Sequence, residues 1–131
     1  MGLSVGVDLV AVAEVAQSIE RFAGDYLTRV YSDAELADCR DAAGAPVAER
    51  LAARFAAKEA VIKALRPTGE PIPWREIEIR VGPHGEPDVA LRGSAQAAAL
   101  TRGVRSLAVS LTHEGPFAAA IAVAELGTAP G

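Results

Sequence analysis

"ERLAARFAAKEAVIKAL", residues 49–65, is a run with a helical pattern in which Leu51, Phe55, Ile62 and Leu65 recur at spacings of four, seven and three. Those spacings put the four side chains on one side of a helix of about 3.6 residues per turn. The same line should pass through position 58 or 59, where the chain has Lys58 and Glu59. A carboxylate in line with Phe55 and Ile62 is costly unless its charge is compensated. Three solutions are open. Lys63 lies one helical turn on, so an ion pair with Glu59 is available, worth a few tenths of a kcal/mol on an exposed helix face. The apolar stripe can rotate past position 59 and leave Glu59 at the surface. Or a metal ion can meet it.

Outward from this helix, the chain reads as one α+β domain. Residues 3–10 alternate Leu3, Val5, Val7 and Leu9 with Ser4, Gly6, Asp8 and Val10, a strand pattern. Residues 11–23 read as a helix with Val12, Val15, Ile19 and Phe22 on its apolar side. Ser32 followed by Glu35 is a capping box, which predicts a short helix after it. "RDAAGAP", 40–46, is a loop, and Pro46 suits the first turn of the long helix, which ends near Arg66 at "PTGEPIP". In the second half, "WREIEIRV" (74–81) and "DVALR" are strands around the turn "GPHGEP". Ser94 is placed to cap a helix through about Arg102. "SLAVSLTH" (106–113) and "FAAAIAVAEL" (117–126) form a hairpin about "HEGP". The domain is therefore expected over residues 1–126, with a loose tail at 127–131.

Composition narrows the class. The chain has 131 residues, half of them hydrophobic and 23% charged, a globular profile of single-domain size. No apolar run approaches the ~20 residues that a membrane helix needs, and "MGLSVGVDLV" lacks the basic region and cleavage site of a signal peptide. One cysteine, Cys39, excludes an internal disulfide, and a cytoplasmic location is the expectation. The net charge of −4 argues against a protein that coats nucleic acid.

Asp8 is the second residue out of place. It sits in a strand of small and apolar residues beside Gly6, which lets another backbone or a ligand come close. A lone strand-end Asp is ordinarily a turn or cap residue. Two carboxylates in apolar settings, Asp8 and Glu59, suit a shared hard cation; Mg²⁺ commonly takes one or two carboxylates and fills its other positions with water and phosphate. Arg54, Lys58, Lys63 and Arg66 lie on the same helix as Glu59, either as a solvated basic face or as a phosphate clamp. His84 and His113 fall in turns and do not make a zinc site without further ligands at the right spacing. No phosphate-loop or dinucleotide fingerprint is present.

"GVDLV", "RFAAKEAVIKAL" and "VSLTHEGPFAAA", in this order and at this spacing, resemble the holo-acyl-carrier-protein synthases, the short single-domain 4′-phosphopantetheinyl transferases. The resemblance spans nearly the whole chain. It implies transfer of phosphopantetheine from coenzyme A to a serine of an apo acyl carrier protein, with release of adenosine 3′,5′-bisphosphate. Asp8 and Glu59 match the carboxylates that hold Mg²⁺, and Lys63 the residue that meets the pyrophosphate. The resemblance implies that Arg54 and His113 bind the 3′-phosphate end of coenzyme A, that Thr112, beside His113 in the same motif, also binds coenzyme A, and that the turn with Gly85 and Pro87 lies near the adenine. Arg21 matches a contact to the acidic carrier, and the family implies a homotrimer with coenzyme A between subunits. The serine's proton would go to a metal-bound water or to Glu59. Three features depart from the family: Glu86 stands where a basic turn residue is usual, "RPTG" replaces "GTG" after the long helix, and Ala13 and Glu14 replace basic residues on the first helix. The last predicts a shifted carrier preference. A non-catalytic relative that only binds coenzyme A or a carrier would be expected to lack Asp8, Glu59 or Lys63, and all three are present.

Overall fold

The computed structural model describes residues 2–127. Strand β1 (Gly2–Ala11) leads through helices α1 (Val12–Phe22), α2 (Gly24–Val30) and α3 (Asp33–Asp38) to the long helix α4 (Ala48–Leu65). A single 3-10 turn (Trp74–Glu76) precedes the hairpin β2 (Ile77–Val81) and β3 (Pro87–Leu91). Helix α5 (Gly93–Arg102) then leads to the hairpin β4 (Val104–Glu114) and β5 (Phe117–Leu126). The three long strands form an antiparallel sheet in the order β1-β5-β4, and β2-β3 make a separate two-stranded sheet. The expected α+β class and its succession of elements are those observed.

The sheet packs on α4 through small residues. On β1 the positions facing α4 are Ser4, Gly6, Asp8 and Val10; opposite them on β5 stand Ala124, Ala122, Ala120 and Ala118. The helix answers with Ala53, Ala56, Ala57, Ala60 and Ala64, all buried. Methyl groups on both surfaces let the helix axis lie close to the sheet at interior packing density. At Gly6 this approach becomes backbone contact. An added Cβ would overlap the Ala60 carbonyl oxygen and stand 2.8 Å from Ala64 N. Ser4 Oγ donates to the Ala64 carbonyl at 2.6 Å.

Burial on α4 revises the one-stripe reading. The helix is buried on most of its circumference, and Phe55, Glu59 and Ile62 are half-buried. Leu51 and Leu65 of the expected stripe are fully buried, whereas Phe55, Glu59 and Ile62 stand at the rim; the deep side of the helix also carries the alanine row. Phe55 and Ile62 mislead here because, where the helix lies closest to the sheet, small residues are selected over large ones.

Other differences are local. Helix α2 has no marked apolar period and was not expected. Pro46 does not enter α4; it bridges to Arg40, and the helix starts two residues later at Ala48. The strand expected from Trp74 begins at Ile77, because residues 74–76 close a 3-10 turn. Ser94 lies inside α5, whose N-cap is Arg92, and the Glu76 carboxylate accepts from both its backbone N–H and its hydroxyl. The Ser32–Glu35 capping box forms as expected. Gly127, assigned to the tail, donates its N–H to the Gly103 carbonyl at 2.7 Å; residues 128–131 lie outside the described residues. No described helix is long and apolar enough to cross a membrane.

Among the described residues, no layer covers the outer face of the sheet. Leu3, Val5, Val7 and Leu9 of β1 are 50–69% exposed, and Phe117 and Ile121 of β5 are exposed beside them. A contiguous apolar face of this kind is a mark of an interface.

Candidate active site

Asp8 and Lys63 meet where β1 crosses α4. Lys63 Nζ donates to Asp8 Oδ1 at 3.0 Å and to the Val7 carbonyl at 2.9 Å. Of the compensations open to Glu59, the pair with Lys63 is therefore not the one formed. Glu59, one turn earlier on the same helix face, instead accepts at Oε1 from the Trp74 indole N–H at 2.9 Å. Asp8 Oδ2 and Glu59 Oε2 take no hydrogen bond among the described residues. Two carboxylates at one helix–strand crossing, each with an oxygen to give, are a donor set that fits a hard divalent cation. Among the described residues, no cluster of three or more His, Cys, Asp or Glu side chains is placed to hold a metal. A cation here would complete its shell with water and substrate oxygens.

A second set converges elsewhere on α4. Arg54, Gly85, Pro87, Thr112 and His113 line one open cleft of about 510 Å³, together with Asp38 and Arg50. Arg54 is buried; its Nη1 donates to the Arg50 carbonyl at 3.3 Å, and its Nε has no partner among the described residues. A buried donor left unmet is costly, and an acidic ligand in the cleft would satisfy it. Asp38 is engaged by Arg80 at 2.8 Å, which offsets its charge at the cleft edge. Gly85 has φ +80°, a conformation that glycine adopts freely, and closes the tight turn that points Pro87 into the cleft. Glu86 turns back over this hairpin, with Oε2 accepting from the His84 N–H at 2.9 Å. His113 is not a turn residue: it lies within β4, opposite Ala118 of β5. Asp8, Glu59 and Lys63 do not line this cleft.

Lys58 belongs to neither set. It is fully buried and pairs with the equally buried Glu35 at 2.7 Å. Its ammonium also donates to the carbonyls of Trp74 and Ile77, while Glu35 accepts from the backbone N–H groups of Ser32 and Ile79. Burial pulls the Lys58 ammonium below its ordinary range, and the Glu35 carboxylate offsets part of that. This network joins α3, α4 and β2. Lys58 is thus withdrawn from both the solvated face and the phosphate clamp considered for it. Burial likewise pushes the Cys39 thiol up to about 11.

A family model described as the 4′-phosphopantetheinyl transferase superfamily matches residues 4–122. This chain belongs to that superfamily. The holo-[acyl-carrier-protein] synthase of Desulforudis audaxviator is 46% identical over 124 residues, covering 95% of this chain and 93% of that protein. The synthase of the same name from Herpetosiphon aurantiacus is 40% identical, covering 92% of this chain and 97% of its own length. Among solved structures, the ACPS–CoA complex of Chronobacterium ammoniagenes superposes with a TM-score of 0.86 at 32% identity, covering 98% of this chain and all of that one. The Helicobacter pylori synthase in complex with coenzyme A gives 0.78 at 29% identity, covering 92% of this chain and 99% of that one.

In this phosphopantetheinyl transferase chain the expected site residues fall into two groups. Asp8, Glu59 and Lys63 form one at the β1–α4 crossing; Arg54, Gly85, Pro87, Thr112 and His113 form the other in the cleft. Arg21 stands apart, exposed in the last turn of α1. Sequence reasoning missed Trp74 as the partner of Glu59, since the two are 15 residues apart across a loop with no period to relate them. It missed the second role of Glu35 because the capping box already accounted for that residue.

Proposed function

We propose that this chain is a holo-[acyl-carrier-protein] synthase, moving the 4′-phosphopantetheine group of coenzyme A to a serine hydroxyl of an apo acyl carrier protein. The observation that carries this reading is the Asp8–Lys63 pair beside Glu59 at the β1–α4 crossing, in a chain of this family. A bond forms between the serine oxygen and the phosphorus next to pantetheine. The bond from that phosphorus to the bridging pyrophosphate oxygen breaks, its electron pair leaves with adenosine 3′,5′-bisphosphate, and the proton of the serine hydroxyl is released to water.

Asp8 and Glu59 would hold Mg²⁺, which supplies neutralisation of the diphosphate as charge builds on the leaving phosphate. Lys63, half-exposed and tied to Asp8, reaches the same phosphates with its ammonium. Arg54 and His113 bind the 3′-phosphate, and the unmet Arg54 Nε supports that role. Gly85 and Pro87 flank the adenine, and Thr112 lines the same wall. Arg21 meets the acidic carrier. These two halves stand apart on one chain, and the outer face of the sheet is apolar. Both features support a homotrimer in which the cleft of one copy and the carboxylates of its neighbour share one coenzyme A. The substrates fit a cytoplasmic setting.

The test is incubation with apo carrier protein, coenzyme A and Mg²⁺, read by intact mass. A carrier that gains a phosphopantetheine arm supports the reading; no gain on any of several carriers, fatty-acid and polyketide, rejects it.

A further inference from the structure

Trp74 is the only tryptophan in the chain, and two adjacent residues of α4 hold its opposite ends. Its backbone carbonyl accepts from Lys58 Nζ at 3.1 Å, and its indole N–H donates to Glu59 Oε1 at 2.9 Å. Lys58 is itself immobilised, fully buried against Glu35 at 2.7 Å. The indole ring packs on Phe55, with centroids 5.8 Å apart and a tilt of 54°. Glu59, on the half-buried rim of α4, would otherwise be free to sample several rotamers, and ordering a glutamate costs entropy. A donor aimed at one oxygen selects a rotamer and leaves the other oxygen to act. Partners that orient a metal-binding carboxylate in this way tune the affinity of the site.

We propose that Trp74 is a positioning residue for Glu59: it occupies Oε1, fixes the side chain, and leaves Oε2 for the divalent ion. This rests on the reading of Glu59 as a metal-binding carboxylate. Lys58 sets the main chain at Trp74, so the buried Lys58–Glu35 pair is the anchor for the arrangement. Removing the indole N–H while keeping an aromatic ring raises the metal requirement and leaves the metal-saturated rate near wild type. Because the indole is unique and bonded to Glu59, its emission also reports a divalent ion that draws on that carboxylate.

The experiment compares wild type, Trp74→Phe, Phe55→Leu and Glu59→Gln. The first readout is the Mg²⁺ concentration that gives half-maximal transfer. Trp74→Phe is expected to raise it roughly 10-fold or more, and Phe55→Leu, which disturbs only the ring's packing, to leave it unchanged. The second readout is tryptophan emission while Mg²⁺ is added to enzyme and coenzyme A without carrier. Wild type is expected to show a saturable change that Glu59→Gln shifts to higher Mg²⁺. An unaltered Mg²⁺ requirement in Trp74→Phe overturns the proposal. So does an equal rise in Phe55→Leu, which would reduce Trp74 to packing, and so does wild-type emission indifferent to Mg²⁺. If wild type itself transfers nothing, the functional reading fails, while the emission arm still tests the link between Trp74 and Glu59.

Discussion

Lys63 Nζ stands 3.0 Å from Asp8 Oδ1 across 55 residues of chain. The pair is partly open to water, with 52% of the lysine side chain and 18% of the aspartate side chain exposed. Exposed pairs of this kind contribute about 0–1 kcal/mol to stability. The cost of keeping a lysine and a strand aspartate together is thus not repaid in folding, which points to use in binding and chemistry.

The first expectation follows from that contrast. Asp8→Ala and Lys63→Ala should lower transfer by about 100-fold or more with little change in melting temperature. For Lys63→Ala the loss should appear in the rate constant as well as in coenzyme A affinity. Glu59→Gln should also lose activity and regain part of it at high Mg²⁺. If Asp8→Ala and Glu59→Gln both keep wild-type rates at limiting Mg²⁺, the metal assignment is wrong.

Arg54 should behave differently. Arg54 lines the cleft and its buried Nε is unmet among the described residues, so Arg54→Ala should raise the coenzyme A concentration for half-maximal rate roughly 10-fold or more, the worth of a charged hydrogen bond. Arg54→Lys should restore little, because a point ammonium lacks the guanidinium fork. Equal coenzyme A affinity in all three proteins would remove Arg54 from the nucleotide site.

Lys58 and Lys63 are five positions apart on α4 and should have opposite phenotypes. Lys58→Met strands a buried Glu35 carboxylate and should cost about 3–5 kcal/mol in urea unfolding. Pairing it with Glu35→Leu should recover part of the loss, since no lone charge then remains buried. A Lys58→Met protein of wild-type stability would contradict the burial of this pair.

Cys39 carries a pH signature. Burial raises its thiol from 9.0 to about 11. The unfolded chain therefore gives up this proton between those values while the folded chain keeps it, so the group's contribution to stability is full below pH 9 and is lost as pH rises through 11. Wild type should lose more stability across that window than Cys39→Ala does. Native protein should also resist alkylation by iodoacetamide that labels the unfolded chain. Equal slopes in the two proteins would show that the thiol does not titrate differently on folding.

The bare sheet face makes the fifth expectation. Val7 is 62% exposed and lies opposite Ile121 on β5. Val7→Glu should convert a trimer to monomers in sedimentation and suppress transfer, with the monomer still folded by circular dichroism. A monomeric wild type would dismiss the shared-site arrangement.

What could be read from residues alone followed the range of the forces involved. Strand β1 was legible because alternation is a local pattern, and β4 and β5 because two strand-like runs flank a short turn. The α3 capping box was legible because its partners are three residues apart. Asp8 and Glu59 stood out because each carboxylate interrupts an apolar pattern; the family resemblance gave Lys63 and the five cleft residues their roles. The Trp74–Glu59 bond and the Lys58–Glu35 pair were not legible: each joins segments distant in the chain, and no spacing rule links them. The breadth of the buried side of α4 was underestimated for a related reason. Beside Leu51, Val61 and Leu65, most of its buried positions are alanines, which carry little hydropathy signal but allow the closest approach to a sheet.

Gly6 turns that closeness into a ruler. With no Cβ between the Gly6 backbone and the Ala60 carbonyl, the strand lies flush on the helix two residues from Asp8 and one from Glu59. A single methyl at position 6 would act as a shim, prying the two carboxylates apart without altering either. Screens for lost activity at this enzyme's centre should therefore return alanine at position 6 alongside changes to the acidic pair itself. The working distance of the centre is kept by a hydrogen atom where every other amino acid has carbon.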